Sequence, residues 1–371
     1  MMSFRALTVR SRRLTTDMSL QYAIEKQVAL AAVRRACALT SAVFNKLVKQ
    51  ETLTKDDKSP VTVADYSAQA VVNTILGHAF PTDPIVGEED ANDLRREEAD
   101  KLRNRIVELA NEALTADLGI GDIAEWGIGP GQERTLEELL DAIDRGNDQG
   151  GRVGRRWTLD PIDGTKGFLR GGQYAVCLAL IVDGDVKLGI IGCPNLPVKS
   201  EEPEGQKGCI FAAVKGQGVE QMTISGANPT PIVIPPVAPG MLNLLESVEA
   251  AHADLSFNER VSELLGITRP PTQMDSQAKY GCLVRGDGGV YLRMPTKAGY
   301  REKIWDHASG SLLVQEAGGL ITNSLGQPLD FGLGRTLGAN YGIVAAGKDV
   351  HALVLAAVQK ARAEELEKAK A

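Results

Sequence analysis

The stretch Leu159-Asp160-Pro161-Ile162-Asp163-Gly164-Thr165 sets two carboxylates three positions apart around a proline, with a glycine and a hydroxyl directly behind them. Pro161 fixes its own φ and biases Asp160 toward extended geometry, so Asp160 is expected to end a strand, with Ile162 and Asp163 in the turn that follows. Both carboxylates and a backbone carbonyl can then face one point. A hard divalent cation such as Mg²⁺ favours that all-oxygen environment, and carboxylates held close together are costly unless a cation or protons neutralise them. Gly164 and Thr165 open a new segment whose free backbone N–H groups could receive a phosphate, as helix N-termini do. The alternative is a solvated turn, which Asp, Pro and Gly make readily. The D-x-D-G-T signature of aspartyl-phosphate enzymes is not met, because Pro161 occupies the nucleophile's position; activated water becomes the better candidate.

Further acids stand at Asp65, at Glu88-Glu89 and at Asp306-His307. Taken singly, each also reads as a helix cap, a solvated strand end or a favourable charge at a helix N-terminus. The elements that would carry them follow from periodicity. Helical spacing of apolar residues runs over 20–48 and again over 63–80, which puts Asp65 near the start of the second helix. Residues 84–89 read as a short strand ending in Glu88 and Glu89, followed by charge-rich helices over 95–118 and 135–145 and a glycine-rich loop at 126–132. Two apolar runs around Asp183-Gly184 predict a hairpin, hence an antiparallel sheet directly after the Asp160 motif. Residues 226–240 contain five prolines and read as a boundary. Beyond it, helical patterns near 257–266, 306–317 and 349–368 alternate with apolar segments at 288–294 and 341–346, as in an α/β layer arrangement. The expected organisation is a basic extension at 1–17, an α+β part at 18–227 and an α/β part at 241–371.

The chain has 371 residues, ample for one large or two closely packed domains, and carries a formal charge of −7 with no basic tract. Nucleic acid and anionic lipid are therefore not expected as partners, and no uninterrupted apolar run approaches the roughly 20 residues of a membrane span. Five widely spaced cysteines suit reduced thiols in the cytoplasm. Residues 1–17, with Arg5, Arg10, Arg12 and Arg13 and no acid before Asp17, have the bias of a mitochondrial presequence or of a plain basic tail. A zinc hydrolase is disfavoured by the absence of H-E-x-x-H and of paired cysteine motifs, and "GIGPGQ" lacks the Lys-Ser/Thr ending of a phosphate-binding loop.

"GEE" at 87–89, "WTLDPIDGTKGF" at 157–168 and "KIWDHASGSLLVQEAGG" at 303–319 stand in the order of three signature blocks. With them the chain resembles the lithium-sensitive, magnesium-dependent phosphatase superfamily that includes inositol monophosphatase. It is similar in particular to the bisphosphate nucleotidase branch, through "KSPVTVADYSAQAVV", "FLRGGQYAVCLALIVDG", "GCPNLP", "DSQAKY", "VYLRMP" and "LDFGLGRTL". The resemblance implies a layered αβαβα sandwich. It also implies one Mg²⁺ held by Glu88, Asp160 and the Ile162 carbonyl, a second by Asp160, Asp163 and Asp306, and a third, looser ion near Glu88 and Asp65. Asp65 and Thr165 match the pair that orients and deprotonates the attacking water. Nucleotide contacts are implied at Thr165, His252, Ser276, Lys279, Arg293 and Asp306, Arg293 standing where inositol monophosphatases tend to have an acid. The implied reaction removes the 3′-phosphate of 3′-phosphoadenosine 5′-phosphate or its phosphosulfate, in support of sulfate assimilation. An inositol polyphosphate 1-phosphatase-like enzyme and a catalytically silent nucleotide sensor are the competing readings. The oligomeric state is left open, a monomer being one option.

Overall fold

The computed structural model describes residues 21–49, 59–118, 124–248, 255–295 and 299–368, so the basic extension and His252 lie outside the described residues. Seven strands form the first sheet in sequence order: β1 (Ile85–Gly87), β2 (Arg155–Asp163), β3 (Ala175–Val182), β4 (Asp185–Pro197), β5 (Lys207–Val214), β6 (Val219–Thr223) and β7 (Thr230–Ile232). β1 runs parallel to β2, and every later neighbour is antiparallel. A second sheet contains β8 (Leu244–Glu246), β9 (Thr272–Gln273), β10 (Val290–Arg293), β11 (Gly319–Thr322) and β12 (Ile343–Gly347), in the spatial order β11-β12-β10-β8-β9. The helices are α1 (Ala23–Lys49), α2 (Ser59–Ala79), α3 (Asp100–Thr115), α4 (Leu136–Asp144), α5 (Thr165–Leu169), α6 (Leu255–Leu265), α7 (Ala278–Arg285), α8 (Ala308–Glu316) and α9 (Lys348–Lys368).

Strand alternation explains how these elements stack. Along β3, Val176, Leu178 and Leu180 join the core shared with α1 to α4, while Ala175, Cys177, Ala179 and Ile181 face α7 and α8. A strand buried on both faces needs no polar residues in its alternation, hence the nearly continuous apolar run. In the second sheet, Tyr291, Ile343 and Ala345 face the same α7–α8 layer, whereas Val290, Leu292, Val344 and Ala346 pack on α6 and α9. The result is the expected five-layer α-β-α-β-α sandwich, with α7 and α8 in the shared central layer. The β3–β4 turn has positive φ at both Asp183 (51°) and Gly184 (83°), the backbone that a two-residue hairpin of this kind requires.

One local reading changes, and one compositional signal is accounted for by the core. The proline-rich stretch is not wholly a connector, since β7 within it adds an edge strand to the first sheet and Ile234 N–H then donates to the Ala317 carbonyl. An edge position tolerates Pro231, which has no N–H to give. The α1 stretch Ala23–Lys46 is long and apolar enough to cross a membrane by composition, yet Val28, Ala29, Ala32, Val33 and Ala36 are fully buried against the rest of the protein. Its apolarity serves the core. All five cysteines are buried and free.

Central-layer packing depends on one glycine. A β-carbon at Gly310 on α8 would lie 2.0 Å from Cδ2 of the buried Tyr280 ring on α7. Gly310→Ala is expected to destabilise the protein by about 1–3 kcal/mol through overpacking, read as a lower denaturant midpoint. An unchanged midpoint would show that α7 and α8 can separate freely.

Candidate active site

The register of β2 accounts for the spacing of its two acids. Asp160 lies across from Cys177 and Asp163 across from Ala175, three steps on β2 against two on β3. Residues three apart on a regular strand point to opposite faces. One extra residue at the Pro161–Ile162 irregularity cancels that inversion and lets both carboxylates reach the same side. Pro161 suits this place, because a bulge leaves a backbone N–H unpaired in any case. β1 is parallel to β2 with Gly87 beside Leu159, so Glu88 leaves its strand next to Asp160.

Asp65 reaches the same region from α2. One turn later on that helix, Gln69 accepts from Glu89 N–H (3.1 Å) and donates from Nε2 to the Glu89 carbonyl (2.6 Å), tying the helix to the acidic strand end. Gly87 lets this clamp close, as a β-carbon would lie 2.7 Å from Gln69 Oε1 and push the amide out of its place. Asp306 arrives from the central layer, just ahead of α8. Carboxylate oxygens of Asp160, Asp163 and Asp306 all lie within 4.8 Å of one another.

This crowding disfavours charge. Burial, then Glu89 and Glu88, hold the Asp65 carboxyl well above the usual range; burial, then Glu88, Asp163 and Asp306, do the same to Asp160. Asp306 is also raised by burial in spite of Arg293 beside it. Glu88 keeps solvent contact on one side, but loss of water around its carboxyl and the proximity of Glu89 push it up to about 7, and it lies in hydrogen-bonding reach of Asp160. Asp65 Oδ1 and Asp160 Oδ1 are buried acceptors without a hydrogen-bond partner. Unpartnered oxygens in an all-oxygen cluster fit a hard divalent cation, which would supply the missing positive charge.

A cationic edge adjoins the acids. Arg293, at the end of β10, pairs with Glu302 at 2.9 Å and stands 3.8 Å from Asp306. Burial alone would raise Glu302, but hydrogen bonding to His307 and the Arg293 guanidinium bring it down to about 2. His307 bridges Glu302 (3.0 Å) and the Tyr280 hydroxyl (2.9 Å). Lys279 is buried on α7, donates to the Met274 carbonyl (3.0 Å) and lies over the Tyr291 ring. Burial lowers it to about 8, with Asp163 opposing and Arg293 assisting. Ser276 has a φ of 71°, a strained conformation for a residue with a side chain, and its β-carbon packs against Gly164, where an added β-carbon would lie 2.8 Å away. The Thr165 hydroxyl donates to the Ile162 carbonyl at 3.4 Å.

Several positioning side chains carry no sequence signal. Gln277 donates its backbone N–H to Asp163 and its Nε2 to the Trp305 carbonyl (2.8 Å), and accepts from Ser309 (2.9 Å), joining the β2 turn to the Asp306 segment. Gln69 and Glu302 were equally silent, because their partners are distant in sequence. Only burial after folding exposes their roles.

The sequence profile of the inositol monophosphatase family matches residues 19–363. The chain belongs to the inositol monophosphatase family. Among its relatives in this family is a protein of Schizosaccharomyces pombe named 3′(2′),5′-bisphosphate nucleotidase, 49% identical over 90% of this chain and 94% of the relative. A rice protein of the same name is 43% identical over 93% and 96%. Inositol monophosphatase structures from Zymomonas mobilis (TM-score 0.57, 19% identity, 91% and 99% coverage) and Anabaena (TM-score 0.55, 17% identity, 91% and 95% coverage) share the family fold.

In this family member, Glu302→Gln would leave the part-buried Arg293 guanidinium with only Asp306, 3.8 Å away, as counter-charge. We expect a loss of about 3 kcal/mol in unfolding free energy, the scale of a broken buried pair, measured by urea denaturation. Parental stability would mean that Arg293 finds compensation elsewhere.

Proposed function

We propose that this enzyme hydrolyses the 3′-phosphate of 3′-phosphoadenosine 5′-phosphate to give AMP and phosphate, and that it also accepts the 5′-phosphosulfate. The observation that carries the reading is the juxtaposition of an all-oxygen acidic cluster with the buried Lys279 and the part-buried Arg293 at its edge. A substrate with one phosphate needs no second cationic subsite, whereas a bisphosphate does, and a guanidinium fork with a neighbouring ammonium supplies it. The names of relatives at 41–49% identity support the same substrate class.

Asp160, Asp163 and Asp306, with Glu88 and the Ile162 carbonyl, would hold two Mg²⁺ ions, and a third would sit loosely near Glu88 and Asp65. Bound there, the ions supply Lewis-acid polarisation of the phosphate and lower the pKa of water. Asp65, with its buried unpartnered oxygen, takes the proton of the attacking water, and the Thr165 hydroxyl orients that water. Water oxygen bonds to phosphorus in line with the ribose 3′-oxygen, whose bond to phosphorus breaks and which leaves to be protonated. Lys279, Arg293 and Ser276 hold the nucleotide, the Ser276 oxygen accepting from Ala278 N–H and so keeping its own hydrogen for a ligand. The resemblance adds Thr165, Asp306 and, outside the described residues, His252 to these nucleotide contacts. Five buried free thiols support a cytoplasmic setting.

The test is phosphate release from 3′-phosphoadenosine 5′-phosphate, its phosphosulfate, inositol 1,4-bisphosphate and AMP, with Mg²⁺ or a chelator, and with Li⁺, Na⁺ or K⁺ at matched ionic strength. The two adenosine bisphosphate substrates should turn over, AMP should not, chelation should abolish activity, and Li⁺ should inhibit most because it enters a small oxygen-lined site. Preference for the inositol ester would overturn the substrate assignment, and turnover in chelator would overturn the metal assignment. Arg293→Lys keeps the charge opposite Glu302 but loses the fork. A charge-assisted bond of roughly 1.5–3 kcal/mol is then at stake. Discrimination for the bisphosphate over a monophosphate ester should fall about tenfold or more. An equal fall on both esters would make Arg293 a structural residue.

A further inference from the structure

We infer that Arg335 is a positioning residue that holds the Glu88 arm of the acidic cluster in register with the Asp306 arm and thereby sets the affinity of the centre for its divalent cation. The inference rests on the reading of those acids as metal ligands. Glu88 and Asp306 come from opposite ends of the chain, one from the rim of the first sheet and the other from the central layer, so something must fix their separation.

Arg335 touches the residue before each of them. Its Nη2 donates to the Gly87 carbonyl at 2.5 Å. Its Nη1 donates to the carbonyls of Gly146 (3.0 Å) and Asp148 (2.9 Å). Residues 146–148 form the strip alongside β1, through Gly87 N–H to Gly146 O (2.8 Å), Asp148 N–H to Ile85 O (3.1 Å) and a bridge between Val86 and Asn147. One guanidinium thus straps the end of β1 to its neighbouring strip immediately ahead of Glu88. Its Cζ lies over the Trp305 ring, 4.8 Å from the centroid, immediately ahead of Asp306. The Arg335 carbonyl accepts from Ile304 N–H (3.2 Å), and Lys303 bridges Thr336, so the backbone around Arg335 is itself fixed to the Asp306 segment.

Arginine is required by this geometry. Several in-plane donors and a stacking face belong to one rigid group, whereas lysine offers a compact ammonium with neither. The residues before it grant access. Gly334 has a φ of 106° and an added β-carbon would lie 3.1 Å from the Gln149 carbonyl oxygen; at Gly150 a β-carbon would lie 2.7 Å from the Gly334 carbonyl carbon. The two backbones cross in contact, and only then can the side chain reach β1. This gives a physical role to Gly-Leu-Gly-Arg in "LDFGLGRTL", which the proposed chemistry leaves without one.

The experiment titrates Mn²⁺ into the full chain and into Arg335→Lys, Arg335→Ala and Arg152→Ala, following free ion by electron paramagnetic resonance, with thermal melts alongside. Arg152 pairs with Asp330, an exposed link between the same two parts of the protein that does not touch Glu88. Folded Arg335→Lys should bind Mn²⁺ about tenfold more weakly or worse, the usual effect of removing a group that orients a ligand. Added guanidinium ion at millimolar concentration should restore part of the loss in Arg335→Ala, and Arg152→Ala should bind as the parent does. In turnover, the half-saturating Mg²⁺ should rise in Arg335→Lys while KM for the nucleotide at saturating Mg²⁺ stays at the parental value. Parental Mn²⁺ affinity in Arg335→Lys, or an equal loss in Arg152→Ala, overturns the inference. Failure of the parent to bind Mn²⁺ would instead overturn the assignment of the acids as a metal site. Should Arg335→Ala not fold, the lysine variant carries the test.

Discussion

Mutual repulsion among Asp65, Glu88, Asp160 and Asp306 is the constraint around which the rest of the molecule is arranged. Each carboxyl is raised from its ordinary pKa by lost water and by its neighbours, so a folded chain that brings them together does so against their preference. The rigid frame must supply the difference until a cation arrives. Two packed sheets with a helical layer between them do this, because their cores fix backbone positions that a loop could not. Acids on α2, the β1 end, the β2 bulge and the α8 entrance are spread over separate elements, with Asp160 and Asp163 on β2 and Glu88 and Glu89 at the β1 end the like-charge pairs that one element bears.

Neutral groups perform much of the holding. Gln69 clamps the Glu89 peptide, and Gln277 spans from Asp163 to Trp305 and Ser309. An amide can donate and accept without adding charge to a crowded site, which makes it suited to lie between carboxylates. Cations are kept to the edge, with Arg293 held by Glu302 and Lys279 by the Met274 carbonyl and the Tyr291 ring. Were Arg293 inserted fully among the aspartates, it would satisfy them internally and compete with a metal. Glu302 draws it away from Asp306, leaving 3.8 Å between guanidinium and carboxylate.

Much of this was legible in the sequence where the signal is local. Asp160-Pro161-Ile162-Asp163 announces a break in regular pairing, though β2 continues through it to Asp163 instead of ending at Asp160 as expected, and Asp183-Gly184 announces a hairpin, because proline and glycine act on their own backbone. The five-layer architecture came instead from resemblance, as did the roles proposed for Asp65 and Thr165, since neither follows from spacing alone. What stayed hidden is non-local. Nothing in residues 84–89 says that an arginine near position 335 will grip the Gly87 carbonyl, and helix α7 gave no clear periodic pattern because it is buried on nearly every side. The edge strand β7 was hidden for another reason, as its proline reads as a connector until a partner strand is known.

The same non-locality bears on how substrate selectivity can differ between enzymes that share this frame. The acids sit at element ends fixed by the two cores, so changing them changes the reaction. Arg293 lies at the end of β10, on the face that also carries Tyr291, and its direction is set by Glu302, which in turn depends on His307 and through it on Tyr280. Exchanging Arg293 for an acid while keeping Glu302 would place two carboxylates together where one ion pair now stands, so the partner residue must change as well. On the proposed role of Arg293, selectivity would depend on the whole Arg293–Glu302–His307–Tyr280 chain, and a single substitution at its outer end is expected to lose one substrate without gaining another.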